Sequence, residues 1–361
     1  MDEQYMNRAL ALAKKGLGKT KTNPMVGAVL VKDGRIIAEG YHHGFGMDHA
    51  EVDCLKQVEE SPEGATMYVT LEPCSHFGKT PPCVVAIEKA GIARVVVGTL
   101  DPNPKVAGRG VGALEAAGIQ VDVGVLEDAC QSLNRAFFTS ILTQTPYVIC
   151  KFATTIDGKI ATDTGESQWI TSEEARNDGH KLRGVVDGIL VGTNTVLKDN
   201  PRLSNRSGEG GDPTRIVLDR RGAVDVAANV YDGTQPTIVY TVHMDEAKIK
   251  ALRDRGVVVE VVKEKKGKLD LRAILKDLYA KDMGRILVEG GGRLHGSLID
   301  DDLVDEFALY LAPTLFGGGK DAVAGRAIAS LGERRDFAFD EVKMLGPDLF
   351  VGGVRRCLRE S

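Results

Sequence analysis

Apolar residues recur at helical spacing from the start of the chain. Tyr5, Met6, Ala9, Leu10 and Ala13 fall on one face of the stretch from Asp2 to Lys15, which stops at Gly16, a residue suited to the position just past a helix. The period then changes. In VGAVLVKDGRIIAEGYH (26–42) two β-rich runs meet at Asp33-Gly34, a pair that accepts the positive φ of a tight hairpin turn. There follow a helix from about Ala50 to Glu59, a strand over 66–71, a helix from about Cys83 to Lys89 stopped by Gly91, a strand in ARVVVGTLD (93–101), a helix over 109–117 and a strand over 119–125. A hairpin followed by strand and helix in alternation predicts an α/β domain of three layers, a mixed sheet with helices on its faces.

The polar turn Gln144-Thr145-Pro146 precedes a new apolar run, YVICKFATT, and a second α/β series. The boundary is placed there, giving domains over 1–145 and 146–361. Strands are predicted over 186–192, 214–220, 237–241, 257–262, 285–290 and 304–312, with helices between most of them. Thr171 and Glu174 have the spacing of a capping box for a helix over 172–183, and DLRAILKDLYAKD reads as helical from 270. NRSGEGGDP (205–213) is a loop by composition.

Length agrees with this division, because 361 residues exceed one average core. The balance of 46 Lys+Arg against 51 Asp+Glu gives a formal charge of -5, which argues against a nucleic-acid partner and favours small molecules. No stretch approaches the roughly 18 apolar residues of a membrane span. The N-terminus is acidic first and basic last, the reverse of a secretory signal, so a cytoplasmic protein is expected. There thiols stay reduced. Cys54, Cys130, Cys150 and Cys357 stand alone and read as buried thiols, whereas Cys74 and Cys83 form a close pair in PCSHFGKTPPC.

That pair has a partner upstream. GMDHAEVDC sets His49 and Glu51 two residues apart at the start of a predicted helix. A catalytic zinc takes three protein ligands and keeps a fourth position for water, while a carboxylate outside the coordination shell moves protons. His49, Cys74 and Cys83 supply three ligands and Glu51 the carboxylate. A closed structural site would need His76 as its fourth ligand and would leave Glu51 without a task. The order H-x-E, then P-C, then C matches the signature of zinc nucleobase deaminases, except that eight residues rather than two separate the cysteines.

HAEVDCL, TLEPCSHFGKTPPC, TNPMVGAVLVKDG and DPNPKVAGRG resemble the deaminase domain of the bifunctional riboflavin biosynthesis proteins, a family that carries the long inter-cysteine loop. The resemblance spans the whole chain. It implies a cytidine-deaminase-like fold, one zinc held by His49, Cys74 and Cys83, Glu51 as the proton shuttle, and loss of a ring amine from a phosphorylated ribosylaminopyrimidine. It also places Asn23, His42, His76, Lys79 and Asn103 around the substrate; there Lys79 is expected to meet the phosphate as a point charge and Asn23 to read the ring edge.

VEGGGRLHGSL follows a predicted strand and opens a helix, the placement that seats a phosphate on helix-terminal amides. It is not the Rossmann fingerprint, since His295 occupies the last glycine position. Together with KFATTIDGKIA, GESQWITS, KLRG and VGTNTVLKDNPRL it resembles the reductase domain of the same family, which has a dihydrofolate-reductase-like fold and uses NADPH. The resemblance assigns Ala153, Trp169, Thr195, Asp199, Gly291, Gly292, Arg293, Leu294, His295, Gly296 and Ser297 to the nucleotide. It assigns Ser167, Arg183, Leu203, Arg206 and Glu289 to the substrate, with the two arginines as phosphate forks; Lys151 and Asp157 keep open roles. The reading is thus a deaminase joined to a reductase, with homo-oligomerisation a family expectation. Its alternatives are a monofunctional zinc deaminase with a nucleotide-binding or oligomerising C-terminal half, and a nucleic-acid-editing deaminase, which the acidic balance and few aromatic residues disfavour.

Overall fold

Along β1 (Gly27–Lys32) successive side chains turn to opposite faces, and both faces are covered. Ala28 and Leu30 pack with Met67, Val69, Val95 and Val97 under one helical layer, while Val29 and Val31 join Tyr68 and Val96 against Met6, Ala9 and Leu10 of the other. Strands buried on both sides need continuous apolar runs, which is why these segments barely alternate. The computed structural model describes residues 1–75, 82–104 and 106–355. The chain divides into two units, Met1–Gln144 and Thr145–Ser361.

The first unit runs α1 (Asp2–Ala13), β1, β2 (Arg35–Tyr41), α2 (Ala50–Lys56), β3 (Thr66–Val69), α3 (Cys83–Lys89), β4 (Arg94–Val97), α4 (Arg109–Ala116), β5 (Gln120–Val123), α5 (Glu127–Leu133) and α6 (Arg135–Thr143). The sheet order is β2-β1-β3-β4-β5. β1 is antiparallel to β2 and β3, whereas β3, β4 and β5 run parallel, with Val69 opposite Val97 and Val97 opposite Val123. Asp33 and Gly34 both take positive φ in the hairpin, as their side chains allow. The sequence pattern did not foretell α5 and α6, each of which buries only one or two residues, Cys130 in the first and Ala136 and Ser140 in the second.

The second unit continues with β6 (Tyr147–Thr155), β7 (Lys159–Ala161), α7 (Glu173–Arg183), β8 (Gly188–Gly192), α8 (Thr193–Asp199), β9 (Thr214–Leu218), β10 (Thr237–Thr241) and α9 (Glu246–Asp254). Then come β11 (Val258–Val261), β12 (Glu264–Lys265), β13 (Lys268–Leu269), α10 (Leu271–Ala280), β14 (Arg285–Val288) and α11 (Gly292–Asp300). It ends with β15 (Glu306–Ala312), β16 (Lys320–Asp321), β17 (Phe337–Leu345) and β18 (Asp348–Arg355). The main sheet has the order β11-β10-β9-β8-β14-β6-β15-β18-β17. It is parallel from β11 to β15 and antiparallel through β18 and β17. One of its faces packs Cys150, Leu190, Ile216 and Val288 under Ile274, Leu275 and Leu278 of α10. The cap of α7 differs from the expected one: Ser172, not Thr171, accepts a hydrogen bond from Ala175 N. Among the described residues no helix is long and apolar enough to cross a membrane.

Candidate active sites

His49 is the residue immediately before α2, Cys83 is the first residue of α3, and Cys74 follows the carboxyl end of β3. Their donor atoms form a triangle. His49 Nδ1 lies 3.3 Å from Cys83 Sγ and 3.5 Å from Cys74 Sγ, and the two sulfurs are 3.4 Å apart. A tetrahedral zinc with ordinary bond lengths separates nitrogen and sulfur donors by about 3.5–3.8 Å, so three vertices of such a site are preformed. Among the described residues no other group of at least three histidine, cysteine or acidic side chains converges so.

The electrostatics favour metal. The Cys83 thiol, its backbone N–H and His49 all hydrogen-bond the Cys74 sulfur and hold its pKa well below the usual thiol range, which favours the thiolate that a metal binds. Glu51, 3% exposed on α2, is pushed up to about 7 by burial and by the Cys74 charge. A carboxyl with that affinity can both take and give a proton near neutrality.

Of the sequence-assigned substrate residues, Asn23 and His42 join this centre. Asn23 Nδ2 is 3.3 Å from His42 Nε2, and the His42 ring stands edge-on to His49 with centroids 5.8 Å apart. His42 Nδ1 is fixed 2.8 Å from Asp48 O, and burial lowers its pKa, leaving the ring neutral. His76 and Lys79 lie outside the described residues. Asn103 sits on the loop after β4, which is tied to the cysteine segment by Glu72, a residue the sequence reading passed over. The adjoining Pro73-Cys74 was the only signal for it, because Glu72's partners are 29 or more positions away. Cys54, Cys130 and Cys150 are buried thiols as expected, and Cys357 lies outside the described residues.

In the second unit a cleft of about 1360 Å³ opens at the carboxyl ends of β8, β9 and β14 and beside β6, where α/β sheets place their ligands. It exceeds the roughly 300–1,000 Å³ of an ordinary ligand pocket, leaving room for a dinucleotide and a second ligand. Ala153, Ser167, Trp169, Arg183, Thr195, Asp199, Leu203, Arg206, Glu289 and Gly291 through His295 all line it. Gly296 and Ser297 do not line it; Gly296 instead abuts the backbone at Ala324 and Gly325. At Gly291, the residue before α11, an added Cβ would meet nothing within 4 Å, so the helix N-terminus presents an open cradle that fits a phosphate group. Trp169 is 67% exposed, with the Arg176 guanidinium 4.5 Å from its ring centroid, which excludes a core role. Burial raises the Asp199 carboxyl above its usual range.

The arginines divide. Arg183 closes its fork on Glu289, with Nε to Oε1 at 2.7 Å and Nη2 to Oε2 at 2.8 Å, and gives Nη1 to Ser204 O. It is therefore committed to a carboxylate and does not present the phosphate fork expected of it. Arg206 donates Nε and Nη2 to His180 Nε2, and burial with the two arginines pushes His180 down to about 4. His295 is buried behind the glycine loop, with its ring nitrogens near Ala322 O and Val288 O, so it braces the cradle. Asp157 is turned to the backbone N–H groups of Phe316 and Gly317, the link between β15 and β16.

The chain is similar to known proteins along most of its length. Residues 1–99 match the family profile described as the cytidine and deoxycytidylate deaminase zinc-binding region, and residues 146–351 match the RibD C-terminal domain. The riboflavin biosynthesis protein RibD of Aquifex aeolicus is 45% identical over 97% of this chain and 98% of its own length, and that of Escherichia coli 40% identical over 96% and 98%. Among solved structures, RibD of Acinetobacter baumannii superposes with a TM-score of 0.87 at 36% identity, covering 98% of this chain and 99% of its own. A Thermotoga maritima protein described as a diaminohydroxyphosphoribosylaminopyrimidine deaminase and 5-amino-6-(5-phosphoribosylamino)uracil reductase gives 0.87 at 38% identity, with the same coverage.

Proposed function

The chain belongs to the RibD family of riboflavin biosynthesis proteins, and from that premise we propose how its residues divide the family's two reactions. It is a bifunctional zinc-dependent deaminase and NADPH-dependent reductase; against the monofunctional alternative stands the match of residues 146–351 to the RibD C-terminal domain. Its first reaction removes the ring amine of a diaminopyrimidinone bearing a ribosylamino phosphate. The second reduces the ribosyl side chain to ribityl.

Zinc, when bound by His49, Cys74 and Cys83, supplies a water acidic enough to act as nucleophile at neutral pH. Glu51 accepts that water's proton, passes it to the ring nitrogen next to the amine-bearing carbon, and assists the departure of ammonia. Burial suits it to this exchange, since an exposed glutamate near its usual pKa would hold the proton too weakly. Asn23, steadied by the neutral His42, reads the ring edge, and Asn103 bounds the pocket from the loop after β4. Lys79 and His76 complete the substrate contacts on the strength of the sequence.

NADPH, when bound, supplies the hydride that reduces the ribosyl C1′. The α11 cradle from Gly291 to Leu294 seats its phosphates, and Thr195, Asp199, Ala153 and the exposed face of Trp169 bound the rest of the nucleotide. Ser167, Leu203 and Arg206 face the substrate, with Arg206 as the phosphate ligand and the Arg183–Glu289 pair as part of the wall. A cytoplasmic location with no nucleic-acid or membrane partner belongs to the same reading. So does a homo-oligomer, favoured by Phe339, Val342 and Met344 exposed along the edge strand β17 and checked by sedimentation, where a monomer at all concentrations would refute it.

The zinc triangle with buried Glu51 beside it carries the deaminase assignment. Glu51→Gln keeps the shape and loses the proton carrier, so ammonia release should fall on the order of 10²–10⁴-fold with zinc content unchanged. The same protein should still oxidise NADPH when given the deaminated intermediate. Loss of both activities in a folded, zinc-loaded chain would refute the division.

A further inference from the structure

We propose that Glu72 is a positioning residue of the deaminase, whose carboxylate holds the Asn103 loop in register with the zinc ligand Cys74; the proposal rests on the substrate role given to Asn103. Glu72 is 4% exposed, and each of its oxygens accepts two backbone N–H groups. Oε2 takes Asp101 N at 3.1 Å and Gly108 N at 3.0 Å, so one atom ties together the two flanks of the loop after β4. Oε1 takes Gly110 N at 2.8 Å and Val111 N at 3.2 Å, in the first turn of α4. Four N–H donors converging on one buried carboxyl group leave the loop few alternatives.

Inside that frame Asn103 is fixed on both sides. Its N–H donates to Asp101 Oδ1 at 2.8 Å, and its carbonyl accepts from Val106 N at 2.8 Å and Ala107 N at 2.9 Å. The other end of the link is short and stiff: Glu72, Pro73 and Cys74 are consecutive, and proline fixes its own φ. A side chain at Gly110 would run into the Pro73 carbonyl oxygen, so α4 abuts the peptide that leads into the zinc ligand. Metal ligand and substrate loop therefore share one anchor.

Glutamine has the same shape, but its amide nitrogen faces two N–H donors whichever way it turns. One orientation frees both loop flanks, and the other frees the first turn of α4. In the zinc-loaded full-length enzyme, Glu72→Gln should raise the KM of the phosphorylated diaminopyrimidine on the order of 10- to 100-fold, with zinc retained and NADPH oxidation on the deaminated intermediate intact. Asn103→Ala should raise the same KM, and the double variant should fall well short of the product of the two effects, because both act through one loop. An unchanged KM in Glu72→Gln, with Asn103→Ala impaired, overturns the role of Glu72. An unaffected Asn103→Ala overturns the reading of the loop instead. If Glu72→Gln loses zinc, Glu72→Asp decides: a raised KM with zinc retained supports positioning, and zinc loss in both variants makes Glu72 a structural residue and ends the proposal.

Discussion

Glu289 is a carboxylate whose burial alone would raise its pKa, yet Arg183 and Lys151 override that penalty and hold it down to about 2. Both members of the Arg183–Glu289 pair are only 14% exposed, so removing one partner strands a charge in a poorly solvated wall. Arg183→Met should destabilise the reductase unit by about 3 kcal/mol at neutral pH, less if Lys151 shifts toward the carboxylate. The sign with pH follows. In the wild type the folded pKa lies below the unfolded one, so this contribution is full above the ordinary glutamate range and lost as pH falls toward about 2. In the variant the folded pKa rises instead, and protonation relieves the stranded charge. The gap in urea midpoint between the two proteins should therefore narrow from about pH 7.5 to about pH 5; a constant gap would contradict the account. The sequence showed both residues but not the pairing. Local motifs such as His49 and Glu51 were legible because their spacing alone places them on one helix end, whereas Arg183 meets a partner 106 positions away and was read as a phosphate fork.

At the scale of elements, legibility followed the strength of local signals. The Asp33-Gly34 hairpin and the strands β3, β4, β8 and β14 were readable because turn chemistry and unbroken apolar runs leave few alternatives. The β17–β18 hairpin was not. β17 leaves much of its length exposed at the sheet edge, so its pattern lacks a buried face to announce it. The helix α11 was foreseen, but what holds it was not. Gly292 meets the carbonyl of Asp321 so closely that any Cβ would collide with it, and Ala324 N bonds Gly292 O, which pins the helix start to the segment after β16. Gly292→Ala should push α11 off that segment and misplace its amide cradle. We expect the KM for NADPH to rise on the order of 10-fold or more, while ammonia release stays at the wild-type rate. Equal NADPH affinity in the variant would show that the cradle does not seat the nucleotide.

For the molecule as a whole, the two chemistries draw on separate parts of the chain. The three residues proposed to hold zinc, with Glu51 and Glu72, lie within Met1–Gln144, and every residue lining the large cleft lies within Thr145–Ser361. Each unit also has its own sheet and its own buried core. That separation was visible in the sequence as the polar turn at Gln144-Thr145-Pro146, because a break between two apolar series costs nothing to read. Metal removal is therefore a selective perturbation. Of the two sites, only the first gathers a His–Cys–Cys ligand set, and binding zinc there would require both sulfurs as thiolates, so chelation should be easier in mild acid as protons compete for them. A chelator-treated enzyme should lose ammonia release in proportion to the zinc removed and recover it on adding zinc back. Over the same range its rate of NADPH oxidation on the deaminated intermediate should stay constant. If that rate fell in step with zinc content, the second unit would need the metal-loaded first unit to work, and the two halves would be one catalytic device rather than two sites on one chain.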